Sequence, residues 1–527
     1  MRNSKVRIAI IALALFLVTS VGLFISCGRQ IQEMARPEAL TFASSAPVTP
    51  TLEWLVQFGT NNSEFSYDVC ADDSGIFVAG EIGWDCFLEK YDSSGNQLWA
   101  RQFGTPPRDY ARGVCTDGSG VYVAGYTDGA FPGQTPAGGR DLFLRKFDAE
   151  GNELWTRQFG SSTYDYGFGV AADSSGIYVA GFTFGTLPGE IPKGSYDACL
   201  IKYDADGNQL WARQFGTSGS DMALAVCADD SGVYVSGHTY GTLGDQSFGG
   251  IDVFVRKYDA DGKDLWTTQL GTWSTDYSYA IAADASGIYA AGYTYYYGPG
   301  SFGGTDMYLS KLDREGELLW TRQYGTSQNE FCHGVSAYAS RVYVGGYTYG
   351  AFPGQEQKGN FDAFLISYDA DGNQLWTIQY GTPAQDEGRA VCAVSSAVYT
   401  AGHTYGVFPG QIPKGYLDGF LAKFSAGLKA TVEFDPDVLN LSSKGKWVTA
   451  YIEFPEGYSV NDIDVSTVML NGKISAELKP TAAGMVKFDR AGVQSILEPG
   501  EEVEIKITGE FAGKAFEGTD TIRVISK

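Results

Sequence analysis

Histidine is nearly absent from this 527-residue chain, which has three. Basic residues are also scarce: 38 Lys+Arg face 62 Asp+Glu, for a formal net charge of −24. Wrapping a phosphate backbone requires the opposite balance, so nucleic-acid binding is excluded as the main role. Charged residues make up 19% of the chain, which argues against long solvated helices. The eight cysteines contain no Cys-x-x-Cys pair, so the usual spacing of a zinc site is missing. The sequence also contains no Gly-x-Ser-x-Gly elbow, phosphate loop or His-Glu-x-x-His. Hydrolase and nucleotide chemistry therefore have no anchor. What the chain has in quantity is Gly (68), Tyr (33) and Phe (31), with 44% hydrophobic residues. That mixture predicts many short strands and tight turns, and it argues against disorder.

One long uncharged run exists, Ile8 to Ser26, behind Arg2, Lys5 and Arg7. Basic residues before an apolar run read as an export signal or an uncleaved anchor. The end of the run, Leu23-Phe24-Ile25-Ser26-Cys27-Gly28, resembles the lipobox of bacterial lipoproteins, with Phe24 where leucine is usual. The resemblance implies that Cys27 is acylated and that residues 1–27 are signal peptide and lipobox. Residues 28–51 carry Pro37, Pro47 and Pro50 without periodicity and read as a tether. The expected location is the cell envelope, facing outward from a membrane.

Residues 52–426 repeat. Trp stands at 54, 99, 155, 211, 266, 320 and 376. After each comes a segment like Thr156-Arg157-Gln158-Phe159-Gly160, then an acid, a small apolar run, a Gly/Asp/Ser turn and a segment like Val121-Tyr122-Val123-Ala124-Gly125-Tyr126-Thr127. A loop leads to Asp141-Leu142-Phe143-Leu144-Arg145-Lys146, and Asp148-Ala149-Glu150-Gly151-Asn152 closes the unit. Four short strands per unit, repeated, are the pattern of propeller blades. The repeat starts on a fourth strand, near Trp54, and ends on a third strand, near Phe420. Docking the first strand into the last blade would close the ring and remove its open edges. The expected fold class is therefore all-β: a seven-bladed β-propeller closed by its N-terminal strand, plus a C-terminal β-sandwich. Residues 428–527 lack the repeat and alternate in Ala430–Phe434, Trp447–Phe454 and Glu502–Ile507, which suits an immunoglobulin-like sandwich of antiparallel strands.

The units resemble the bacterial seven-bladed β-propeller repeat family. The Trp-x-x-Gln-Phe-Gly start, the Tyr-Val-Ala-Gly-Tyr-Thr centre and the Gly-Asn-x-Leu-Trp end carry the resemblance. It implies an exported scaffold without a defined reaction.

Candidate functional residues fall into two sets. Glu64, Asp109, Asp165, Asp221, Asp276, Glu330 and Asp386 open the first strand of each unit. They form either an acidic ring able to meet a cation or basic ligand, or turn-holding carboxylates repeated because the turn repeats. The structural use is the stronger reading, since a residue present in every unit usually serves the unit. Phe131, Tyr240, Tyr296, Tyr349, Phe352, Tyr405 and Phe408 lie in or near the long loops between second and third strands. Exposed aromatics there would bind a carbohydrate or protein ligand. The Asp-x-x-Gly turns, such as Asp204–Asn208, read as hairpins, with a weak calcium site as the alternative. No cofactor and no metal site is expected. A non-catalytic ligand-binding scaffold leads. A polysaccharide lyase or hydrolase working in the propeller funnel and a membrane-assembly scaffold are the alternatives.

Overall fold

Alternation and burial explain the strands. In a computed structural model, the second and third strands of the repeat are buried along almost their whole length, as in Val121–Thr127 and Asp141–Phe147. They are covered on both faces by neighbouring sheets, which is why they read as continuous apolar runs. Fourth strands such as Gln97–Phe103 sit at an exposed edge and stay half polar. The structure describes residues 50–527 except 297, 299, 339, 395–396, 426–427, 455–459, 461–462, 478–483, 512–513 and 527. The signal segment, Cys27 and most of the tether lie outside the described residues. No helix among the described residues is long and apolar enough to cross a membrane.

The repeat folds as seven four-stranded antiparallel sheets. Six follow chain order, beginning with Glu64–Asp72, Gly75–Ile82, Asp85–Tyr91 and Gln97–Phe103. The seventh joins Asp386–Val394, Ala397–Thr404 and Asp418–Ser425 to the first strand of the repeat, Leu52–Phe58. Leu55 faces Ala422 and Phe58 faces Gly419 across that seam. The first strand of each sheet packs on the first strand of the next, and Asp386–Val394 packs on Glu64–Asp72. The sheets thus form a closed cycle, the arrangement of a β-propeller.

The tryptophans fasten neighbouring sheets together. Trp99 Nε1 donates to Ala149 O at 3.0 Å, and Trp155 Nε1 donates to Ala205 O at 3.2 Å, in each case across to the next sheet. Trp54 makes the same bond to Ser93 O at 3.1 Å, carrying the pattern across the seam. Gly151 explains the glycine of this turn. Its φ is +79°, and a Cβ there would lie 2.9 Å from the Trp99 ring. The described cysteines are all free.

Residues beyond 428 form two sheets over one apolar core that includes Phe434, Ala450, Leu470, Phe488 and Ile507. Two features depart from the antiparallel expectation. Val438–Asn440 and Leu428–Lys429 both pair parallel to Lys514–Ile525. Residues Arg490–Ile496 form a helix whose N-cap, Asp489, accepts from Gly492 N at 2.8 Å.

Candidate functional site: an axial channel under an aromatic rim

Every first strand breaks register with its partner after its third residue, as between Ala111 and Gly113 or between Cys332 and Gly334. A bulge leaves one residue unpaired and re-aims its side chain. The first unpaired residue of each sheet is Tyr67, Arg112, Phe168 (followed there by unpaired Gly169), Leu224, Tyr279, His333 or Arg389, and all of them line a channel of about 250 Å³ where the sheets converge. The glycine of the Ala-Gly pair makes this bulge possible. A Cβ on Gly125 would lie 1.8 Å from Tyr110 O, so the first strand approaches only where the second has no side chain. The seven channel residues differ from sheet to sheet. Sequence reasoning passed over them because it looked for what repeats.

The channel wall is polar on one side. His333, Arg389, Tyr67 and Arg112 come from four consecutive sheets around the ring, and Phe168, Leu224 and Tyr279 come from the other three. Arg389 pairs with Glu387 and lies 3.2 Å from His333 Nε2. His403 Nε2 is 3.4 Å from the Glu387 carboxylate. Burial pushes the Glu387 carboxyl up, but His403 and Arg389 outweigh burial and hold it at about 2. Burial drives His333 well below the usual imidazole value, and Arg389 beside it adds to the effect. Burial likewise lowers His403 despite the pull of Glu387. Asp68 also borders the channel, but its carboxylate is turned to Val114 N at 2.8 Å and Val69 N at 2.9 Å. Burial pushes it up to about 7.

The acidic residues that open each first strand are fully buried and hold turns. Asp276 accepts from Thr272 N at 2.7 Å and Thr272 Oγ1 at 2.9 Å. Glu330 accepts from Thr326 N, Thr326 Oγ1 and Thr348 Oγ1, each at 2.7 Å. Asp386 does the same with Thr382 N at 2.7 Å and Thr404 Oγ1 at 2.6 Å. Glu64, Asp109, Asp165 and Asp221 repeat the pattern with Thr60, Thr105, Ser161 and Thr217. Each carboxylate is buried and accepts from its own turn, with one oxygen of Glu64, Asp165 and Asp221 left without a partner, so the seven do not present an open ring to a ligand. The Asp204 turn is likewise closed by its own carboxylate, which accepts from Asp206 N, Asn208 N and Asn208 Nδ2. Among the described residues no cluster of His, Cys, Asp or Glu could hold a metal ion.

The loop aromatics divide. Phe131, Phe352 and Phe408 are 1%, 1% and 5% exposed, which corrects their expected role as ligand contacts. The reason is a latch. Phe131 N donates to Gln158 Oε1 at 3.1 Å, while Gln158 Nε2 donates to Gly129 O and to Asp141 Oδ2, each at 2.8 Å. The loop is folded down on the fourth strand, and its Phe ring packs edge-on against Phe143. Gln379 fastens Phe352, and Gln57 fastens Phe408, in the same way. Tyr240, Tyr349 and Tyr405 do reach solvent, and Tyr296 is half-buried with its ring against Trp273. Tyr164, Trp273 and Tyr416, exposed on loops of the same face, were not anticipated. Between this rim and the channel, Tyr110, Tyr166, Tyr277 and Phe331 form a half-buried collar two residues before the bulge.

A family model described as SBBP, beta-propeller repeat, matches residues 98–132. The chain is a β-propeller repeat protein. The regulatory protein FlaEY of Caulobacter vibrioides is 34% identical over 180 residues, which is 30% of this chain and 19% of that protein. The chain thus spans about a fifth or less of the curated relatives it matches. Among solved structures, the WD40 propeller domain of Doa1 aligns at 11% identity and a TM-score of 0.41, covering 72% of this chain and 97% of that one. Polysaccharide lyase Uly1 aligns at 10% identity and a TM-score of 0.44, covering 71% and 99%. Likenesses at this level say nothing of what the chain binds.

Proposed function

We propose that this protein is a lipid-anchored, outward-facing protein of the cell envelope that binds a carbohydrate on its loop face without transforming it. In this reading the seven sheets are the blades of one propeller closed by Leu52–Phe58, residues 428–527 are an immunoglobulin-like sandwich, and Cys27 carries the lipid. The supporting observation is the funnel itself, with an exposed aromatic rim, a half-buried aromatic collar and a small channel beneath. Aromatic faces stacked around a concave site suit the apolar faces of sugar rings. Among the described residues of the channel, the one group raised to near neutral, Asp68, is turned to Val114 N and Val69 N rather than into the channel. A general acid or base works best with a pKa near the working pH. Glu387 is held at about 2, and His333 is pushed well below the usual imidazole value. These directions support binding without chemistry.

A saccharide array probed with the full chain tests the reading. At least one saccharide class should be retained, and Tyr166→Ala with Tyr277→Ala should weaken it about tenfold or more, since each stacking face contributes ~1 kcal/mol. An array on which nothing is retained contradicts it. Metabolic labelling with palmitate tests the anchor: the parent should be labelled and Cys27→Ser should not.

A further inference from the structure

The arginines near the axis are unequal. Arg108 pairs with Glu81 at 3.0 Å, Arg140 with Asp128 at 2.6 Å, and Arg389 with Glu387. Arg112 has no carboxylate within ion-pair distance among the described residues. Its guanidinium lies over the rings of Tyr67 at 4.0 Å and Tyr110 at 5.4 Å, and it donates to the Tyr126 hydroxyl at 3.0 Å. Its Nε is buried with no hydrogen-bond partner, and so is Nε of Arg389 on the same channel. This buried cation keeps its charge through the tyrosines around it and the longer-range pull of Glu81, but the unmet donor on it is costly. In a chain of net charge −24 this is the reverse of what general acidity would produce, so the site is built locally. Beside it Phe168, 5.7 Å from the guanidinium, begins a less polar stretch of wall that continues through Leu224 and Tyr279.

We infer that the channel takes the carboxylate of an acidic saccharide, a uronic acid at the end of a chain, with Arg112 as its counter-ion. This rests on the carbohydrate reading above and narrows it. The carboxylate pairs with the Arg112 guanidinium, and the less polar wall meets one face of the sugar ring. A volume of about 250 Å³ suits one such ring and leaves the rest of the saccharide to the collar and rim. Charge-assisted bonds to arginine are roughly twice as strong as neutral ones, and fork geometry favours a carboxylate over a hydroxymethyl group.

The test is calorimetric titration of the full chain with a glucuronic-acid-terminated disaccharide and with its carboxyl-reduced, glucose-terminated counterpart. The acidic sugar should bind at least tenfold more tightly. In Arg112→Gln that ratio should fall to about one, and Arg112→Lys should restore part of it. Arg213→Gln removes a positive charge from the outer edge, where Arg213 Nε donates to Gly262 O, and should leave the ratio as in the parent. Equal affinity of the parent for both sugars overturns the inference and leaves carbohydrate binding standing. A ratio lost equally in Arg213→Gln also overturns it, because net charge would then be the cause. If neither sugar binds, and the array is silent as well, both readings fall. The parent ratio alone decides the matter if Arg112→Gln does not fold.

Discussion

Within each first strand, the opening residue and the residue three places later behave in opposite ways. The opening residue is Asp or Glu in all seven sheets and is buried, accepting from the turn before it. The later residue is Tyr, Arg, Phe, Leu, Tyr, His or Arg, and it faces the channel. Seven copies of one scaffold position need one chemical solution, so the residue repeats. Seven positions around one axial channel share no such task, so the residue varies. Repetition therefore marks what holds the propeller together, and variation marks where the proposed ligand would meet it.

The sharpest break of that contrast comes at the glycine behind the bulge. Gly125→Ala should cost about 3 kcal/mol or abolish folding, because its Cβ would meet Tyr110 O at 1.8 Å. Gly133→Ala, in the long loop, has nothing within 4 Å of its Cβ and bears only the strain of φ +76°. That variant should lose about 1 kcal/mol. Denaturant melts of the two measure the difference. Equal losses would mean that the bulge is not the constraint.

A smaller effect sharpens the contrast at the one channel-side carboxylate turned to backbone. Burial raises Asp68 to about 7, so the folded state keeps its proton between about pH 4 and pH 7 while the unfolded state gives it up. Its contribution to stability falls as pH rises through that window. Stability curves against pH should show the parent losing ground to Asp68→Asn from pH 4 to pH 7, with little further change above. Parallel curves would show that Asp68 is not buried as described.

Much of the fold was legible because it repeats. The Trp spacing, the Gly/Asp turns and the unmatched first strand predicted the sheets and the pairing of Leu52–Phe58 with Asp418–Ser425. The structural use of the acids was legible for the same reason. The Phe-Pro-Gly-Gln loops recur too, and the same logic applied to Phe131, Phe352 and Phe408 would have put them inside. The channel residues were hidden by the bulge, which shifts side-chain direction in a way strict alternation does not show. The available signal was a column that moves among Tyr, Arg, Phe, Leu and His from repeat to repeat. After residue 428 no repeat disciplines the reading, and the helix Arg490–Ile496 and the parallel pair at Val438–Asn440 were missed.

The central claim is best tested by measuring saccharide affinity and unfolding free energy together in Phe168→Ala and Asp386→Ala. Phe168 faces the channel, whereas Asp386 holds Thr382 and Thr404. The account predicts that Phe168→Ala loses about tenfold or more in affinity with the smaller loss of stability. Asp386→Ala should lose roughly 3 kcal/mol, from stranded buried donors, and bind within about twofold of the parent while folded. The reverse pattern, with binding lost in Asp386→Ala and kept in Phe168→Ala, would contradict it.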